Sequence, residues 1–222
     1  SLEKNAEAAT GHVVVADCAI AAYGRLHPAA VGVWIGHSAN NAIVRNTIRD
    51  GYYTGVSVGW SWGYGESGAH HNRIEHNSIS KIGQGLLSDM GGIYTLGLSP
   101  GTVLRGNRIH DVRAYGYGGW GIYPDEGSTG LLIEQNCVFN TKAAGFHQHY
   151  GRDNIVRNNV FAFGQEAQVQ RTRAEGHQSF RFEQNIVAFD RAQLLAGAWA
   201  EPGVAMDRYV YWSTSMKTFD FA

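Results

Sequence analysis

A chain of 222 residues with a formal net charge of −1 and only 17% charged residues has no polybasic surface, which excludes a binder of nucleic acid or of anionic membranes. Disorder is excluded as well, because a 44% hydrophobic composition with 6 Trp, 11 Tyr and 9 Phe must bury its rings, and the length suits one domain spanning residues 1–222. Against 4 prolines stand 29 glycines, so the chain turns often on residues that tolerate positive φ and reads as turn-rich and all-β.

Residues 1–12 are polar and Ala-rich and suit a short helix or a loose end. Cys18 and Cys137 make no disulfide framework and no zinc spacing, which leaves the redox compartment open. No apolar run reaches membrane-spanning length, and no basic stretch leads into an apolar one, so neither a transmembrane helix nor a signal peptide is expected. Beginning at Ser1 and ending at Phe221-Ala222, the sequence reads as a mature chain or as a piece of something longer.

From Val15 onward a period appears. Apolar, two variable residues, Asn, one variable residue, apolar recurs as Ile43…Asn46…Ile48, Ile74…Asn77…Ile79, Leu104…Asn107…Ile109, Ile133…Asn136…Val138, Ile155…Asn158…Val160 and Phe182…Asn185…Val187, with Val15…Cys18…Ile20 placing Cys in the Asn slot. The steps of 28, 31, 30, 29, 22 and 27 residues suit one solenoid coil with loop insertions; propeller blades need a longer period and leucine-rich repeats a different Leu spacing. Upstream of each Asn lies a second, Gly-flanked strand: Val33-Trp34-Ile35, Val56-Ser57-Val58, Ile93-Tyr94-Thr95, Ile122-Tyr123-Pro124, Phe146-His147-Gln148 and Val169-Gln170-Arg171. Stacking like strands in parallel gives each backbone group a partner, which predicts a right-handed parallel β-helix of about seven coils. The recurring Asn is then a corner residue that forms a ladder along the stack. Tyr209-Val210-Tyr211-Trp212 reads as a last strand, and exposed coil ends favour self-association.

In that register outward residues of successive coils lie about 4.8 Å apart. One column reads Trp34, Ser57, Tyr94, Tyr123, His147, Gln170, and two positions on it reads Gly36, Gly59, Leu96, Asp125, His149, Thr172. Pro124 and the polar residues at the inward positions of the later coils leave the sidedness beyond Tyr123 open. The loops Ser88-Asp89-Met90-Gly91-Gly92, Gly118-Gly119-Trp120-Gly121 and Pro124-Asp125-Glu126-Gly127-Ser128 feed the same face and bring three carboxyl candidates, Asp89, Asp125 and Glu126. Glycosidic hydrolysis needs two carboxyl groups about 5–5.5 Å apart for retention or about 6.5–9.5 Å for inversion; the competing reading is that these acids cap turns. His147 and His149 can position a substrate or, with Asp125, hold a divalent metal, although no resident cofactor is expected. Trp60, Trp62 and Tyr64 alternate onto one face and suit sugar stacking or packing under the loop to His71. Trp120, Tyr94 and Tyr123 are further candidate ligand contacts, and Arg171 and Arg173 can grip a hydroxyl or carboxylate.

The runs SDMGGIYTLG at 88–97, GWGIYPDEGSTG at 119–130 and GFHQHYGRDNIVRNNVF at 145–161 resemble right-handed β-helix proteins of glycoside hydrolase family 141 and, more distantly, family 120. The resemblance implies paired aspartates, carried onto Asp89 and Asp125, and for the β-xylosidases of family 120 a nucleophile at Asp125. Gln148 stands where that family has its acid/base glutamate, which moves the acid role to Asp89, Glu126 or a histidine. The expectation is a glycoside hydrolase acting on a neutral plant or microbial glycan, with Asp125 as nucleophile or base and Asp89 as general acid. A calcium-dependent polysaccharide lyase and a non-catalytic carbohydrate-binding β-helix are the alternatives. The substrate class favours a secreted or periplasmic setting.

Overall fold

The computed structural model describes residues 10–215 and contains no helix within them. Of the segment 1–12, residues 1–9 lie outside the described residues. Three parallel sheets run the length of the molecule, two of eight strands and one of seven, and together wind about seven turns of a β-solenoid. Each coil takes one strand from each sheet. A central coil, for example, consists of Trp120–Pro124, Leu132–Glu134 and Cys137–Thr141.

Inside, like side chains stack. Ile43, Ile74, Leu104 and Ile133 line the first sheet, Ile48, Ile79, Ile109 and Val138 the second, and Val56, Ile93, Ile122, Phe146 and Val169 the third. Phenylalanine replaces aliphatic residues toward the C-terminal end, where Phe161, Phe180, Phe182 and Phe189 are all buried. Outside the first sheet, Glu75 and Glu134 are covered by arginines, with Glu134 gripped by Arg105 and Arg157 at 2.6 and 2.8 Å.

The corner between the first two sheets is the predicted ladder. Each Asn Oδ1 accepts from the backbone N–H and from the side-chain amide of the Asn one coil earlier, as Asn107 does from Asn77, both at 3.0 Å. Its own Nδ2 donates back to a carbonyl, Ile74 O for Asn107, at 2.8 Å. The residue before each Asn is left-handed (Arg45, His76, Gly106, Gln135, Asn158 and Gln184), which turns the chain sharply enough for the amide to point along the axis. One repeat is displaced from its expected position: the ladder residue is Asn159, not Asn158, and the inward pair is Val156 and Phe161 rather than Ile155 and Val160. Two adjacent asparagines satisfied the spacing equally, and burial of Val156 decides between them, leaving Asn158 to take the left-handed turn. Asn107→Ala would strand the Asn77 donors and the Ile74 carbonyl inside the stack. A loss of about 3 kcal/mol is expected, read as a thermal-unfolding midpoint lower by about 6–12 °C.

The third sheet carries the face of interest in the register the sequence indicates. Val33 pairs with Val56, Val56 with Ile93, Ile93 with Ile122, Ile122 with Phe146, and Phe146 with Val169. The sidedness holds past Tyr123: His147 pairs with Gln170 in the outward column, while Gln148 and Arg171 turn inward. The last strand among the described residues is Val210–Ser213, at the edge of the second sheet.

Candidate functional site

Two carboxylates and two phenols meet over the third sheet. Asp125 ends the Trp120–Pro124 strand and is 6% exposed; the Tyr94 hydroxyl, one coil earlier in the outward column, donates to its Oδ2 at 2.5 Å. Asp89 lies in the turn before the Gly91–Leu96 strand with φ 56, a left-handed position that Asp tolerates. The Tyr123 hydroxyl donates to Asp89 Oδ1 at 3.1 Å and also meets the Asp125 carboxyl, so one phenol oxygen joins the two acids. The two acids thus share one phenol, and their nearest oxygens lie within two hydrogen-bond lengths of one another. Burial raises the Asp125 pKa above the ordinary Asp range, opposed by hydrogen bonds from Tyr94, Tyr123 and the Glu126 backbone N–H and reinforced by the Asp89 charge. The same burial, with the aspartate charges beside them, pushes Tyr94 and Tyr123 far above a normal phenol, so both remain hydrogen-bond donors. A phenol has one proton and can serve only one carboxylate. Tyr123 therefore donates to Asp89 or to Asp125 at any one moment, and Tyr94 serves Asp125 in either case.

The histidines form a neighbouring group. His147, 2% exposed, stacks on Tyr123 at 4.9 Å and lies 4.3 Å from the Trp120 ring; burial lowers its pKa to about 3, so it is neutral. Its Nε2 and the Nδ1 of His149 share the Thr172 hydroxyl at 2.9 and 2.7 Å. The imidazoles thus turn toward Thr172, and among the described residues no three His, Cys, Asp or Glu side chains gather as a group that could hold an ion. Contact between the two halves runs through the Tyr123 and Trp120 rings.

Other expected site residues are placed differently. Glu126 turns away from Asp125 and accepts from the Tyr150 hydroxyl at 3.0 Å. Arg171 is corrected from ligand contact to structure: fully buried, it donates to the carbonyls of Ala198, Glu201 and Pro202 and to Ser179 Oγ, because only a guanidinium can satisfy that many acceptors inside the last coils. Gln148, in the position compared with an acid/base glutamate, is also inside the coil, where its Oε1 accepts from Asn154 Nδ2 at 3.0 Å. Tyr94, Tyr123 and Trp120 are each 4–5% exposed and form a floor under other rings rather than an open stacking surface; Trp120 Nε1 donates to Gln170 Oε1 at 2.7 Å. Trp60 packs on Tyr94 and its Nε1 donates to Ser57 Oγ at 3.0 Å, whereas Trp62 projects outward.

Three contributors carry no functional signal in the repeat. Tyr53 donates to the Asp89 carbonyl at 2.7 Å, and burial beside Asp89 pushes its pKa up to about 12. The hydroxyl of Tyr117, in the Gly116–Gly119 loop, bonds the Asp89 carboxyl, and its carbonyl accepts the Asp89 N–H at 3.1 Å. Thr172 stood in the second outward column with no role attached. The only signals were a tyrosine between glycines and a hydroxyl one coil beyond His149. Farther along the same edge, Tyr64 donates to Glu175 and lies 3.2 Å from His177 Nε2, fastening the Trp60–His71 loop to a loop four coils later.

The fold and this face together define a right-handed parallel β-helix with a carboxylate–tyrosine site midway along one sheet. The sequence profile described as "Right handed beta helix region" matches residues 6–161, and the chain belongs to that family. No curated protein matches the sequence. A solved structure described as a glycoside hydrolase is similar with a TM-score of 0.54 and 16% identity, over 90% of this chain and 26% of its own length. At that identity the likeness is one of fold, and the chain spans about a quarter of the protein it matches.

Proposed function

We propose that the chain carries the catalytic face of a glycoside hydrolase that cleaves a neutral glycan with retention, with Asp125 as proton donor and Asp89 as nucleophile. The observation that carries this reading is the pair of carboxyl groups joined through one phenol, with Asp125 buried and its pKa raised by that burial and Asp89 half-buried at the loop edge. Unlike partners are what acid and nucleophile require. The roles are the reverse of the sequence expectation because Asp125 is the deeper acid, while Asp89, at the loop edge, is the half-buried one. Tyr94 and Tyr123 orient Asp125, and neutral His147 stiffens Tyr123 from the far side. Likeness to a glycoside hydrolase fold and the motif resemblance to families 141 and 120 support the same chemistry.

A lyase reading would need several converging acidic ligands for calcium and a basic residue at the cleft, and the acids here pair with phenols instead. The test is a screen of neutral polysaccharides for released reducing ends in the presence of a calcium chelator, with the anomer of the first product read by NMR. Retained-configuration sugar supports the proposal. An unsaturated, ultraviolet-absorbing product that needs calcium, or no product from any glycan, overturns it.

A further inference from the structure

The buried rings of the site belong to a longer run whose two ends are open. Ring contacts pass from Trp62 to Trp60 at 5.8 Å, to Tyr94 at 5.9 Å, to Tyr123 at 4.8 Å, to Trp120 at 4.2 Å and to Tyr117 at 6.3 Å. The middle of the run is closed to solvent, yet Trp62 is 63% and Tyr117 62% exposed. Trp62 follows the strand Val56–Gly59 and Tyr117 precedes the strand Trp120–Pro124. The strands are parallel, so the two exposed rings stand at opposite edges of the third sheet with Asp89 and Asp125 between them.

Both rings are held. Trp60 sits at φ 91, a sparsely populated region for a bulky side chain that a fold keeps where it shapes a site; this turn throws Trp62 outward while Trp60 stays anchored on Ser57. Tyr117 is flanked by Gly118 and Gly119 at φ 95 and 81, and a Cβ at Gly118 would come within 2.9 Å of the Asp89 nitrogen. That loop is tied by the Asp89 N–H to its carbonyl and by Lys142 Nζ to Gly116 O at 2.5 Å. The Tyr117 hydroxyl bonds Asp89, so whatever stacks on this ring is delivered to that carboxylate. Exposed, fixed aromatic faces on both sides of paired acids suit the apolar faces of successive sugar rings.

We propose that Trp62 and Tyr117 are stacking platforms for a neutral oligosaccharide longer than a disaccharide, laid across the third sheet so that an internal linkage lies over Asp89 and Asp125. This rests on the hydrolase reading and extends it to an internally cutting enzyme. The test uses the Asp125→Asn protein, which binds without turnover, titrated calorimetrically with β-1,4-linked xylo-, manno- and gluco-oligosaccharides of two to six units. In one series affinity rises at least tenfold from dimer to hexamer. In the same background Trp62→Ala and Tyr117→Ala each weaken the hexamer by about tenfold, which is about 1.4 kcal/mol, while Tyr117→Phe keeps the ring and stays within about twofold. Length-independent binding, no binding in any series, or full hexamer affinity in either alanine variant overturns the proposal. Length-dependent binding that both alanine variants weaken, in a protein that releases no sugar from any glycan, would sink the hydrolase reading and leave the platforms standing. Cleavage with full affinity in the alanine variants would do the reverse.

Discussion

Asp125→Asn is expected to lower kcat/KM on a neutral glycan by about 10³-fold, the middle of the range for loss of a positioned general acid, with the far-ultraviolet circular dichroism of the folded chain unchanged. The substitution keeps the shape of the side chain and the acceptor for Tyr94 but removes the acidic proton that the proposed donor delivers. Asp89→Asn is expected to be as damaging, by removing the nucleophile, but with a different signature. A substrate with a good leaving group needs little protonation, so it should recover most of its rate in the Asp125 variant and none in the Asp89 variant. Full activity of Asp125→Asn on an ordinary glycan would refute the assignment.

The second large effect is on stability and its pH dependence. Burial raises the folded pKa of Asp125 above the unfolded value, so the unfolded chain releases this proton first. The contribution to stability is therefore complete below the ordinary Asp pKa of about 3.9 and is lost as pH rises through the folded value. Above the unfolded pKa the wild-type fold bears the cost of burying this carboxyl, as a charge or as a proton drawn from solution, and the Asn variant bears neither. Asp125→Asn should melt higher at pH 7, by about 2–4 °C for each kcal/mol relieved in a chain of this size, and the gain should vanish below about pH 4. The same proton sets the basic limb of the kcat/KM profile, which should lie above the ordinary carboxylate range. A variant that melts lower than wild type at pH 7 would show that the Tyr94 and Tyr123 bonds outweigh desolvation.

How much of this was legible follows from periodicity. A repeat states which residues lie side by side, so the coil, the Asn ladder and the outward column from Trp34 to Gln170 could be read directly, and Tyr94, Tyr123 and Asp125 fell where the column put them. A repeat is silent on depth. Trp120, Tyr123 and His147 are buried although they looked like surface on the strand pattern, and Arg171, at an inward register position, was given a ligand role on its charge. It is silent, too, on which way a side chain leans, so the Thr172 hydroxyl that takes both His147 and His149 could not be read from the columns. Tyr53 and Tyr117 arrive from outside the repeat, where no register exists to count from. The Asn158 and Asn159 ambiguity shows the limit within the pattern: spacing alone cannot separate two adjacent residues of the same type, and packing of Val156 has to.

A stack in which each winding touches only the ones beside it would come apart like a zipper, fraying inward from whichever end is looser. The Tyr64 to Glu175 bond spans 111 residues and skips the windings between. It therefore acts as a clasp across the middle of the rod: fraying from either tip halts at the fastened segment, and the windings that carry Asp89 and Asp125 open together or not at all. In native-state hydrogen exchange those central amides should share one protection level, and Tyr64→Phe should split it into a gradient.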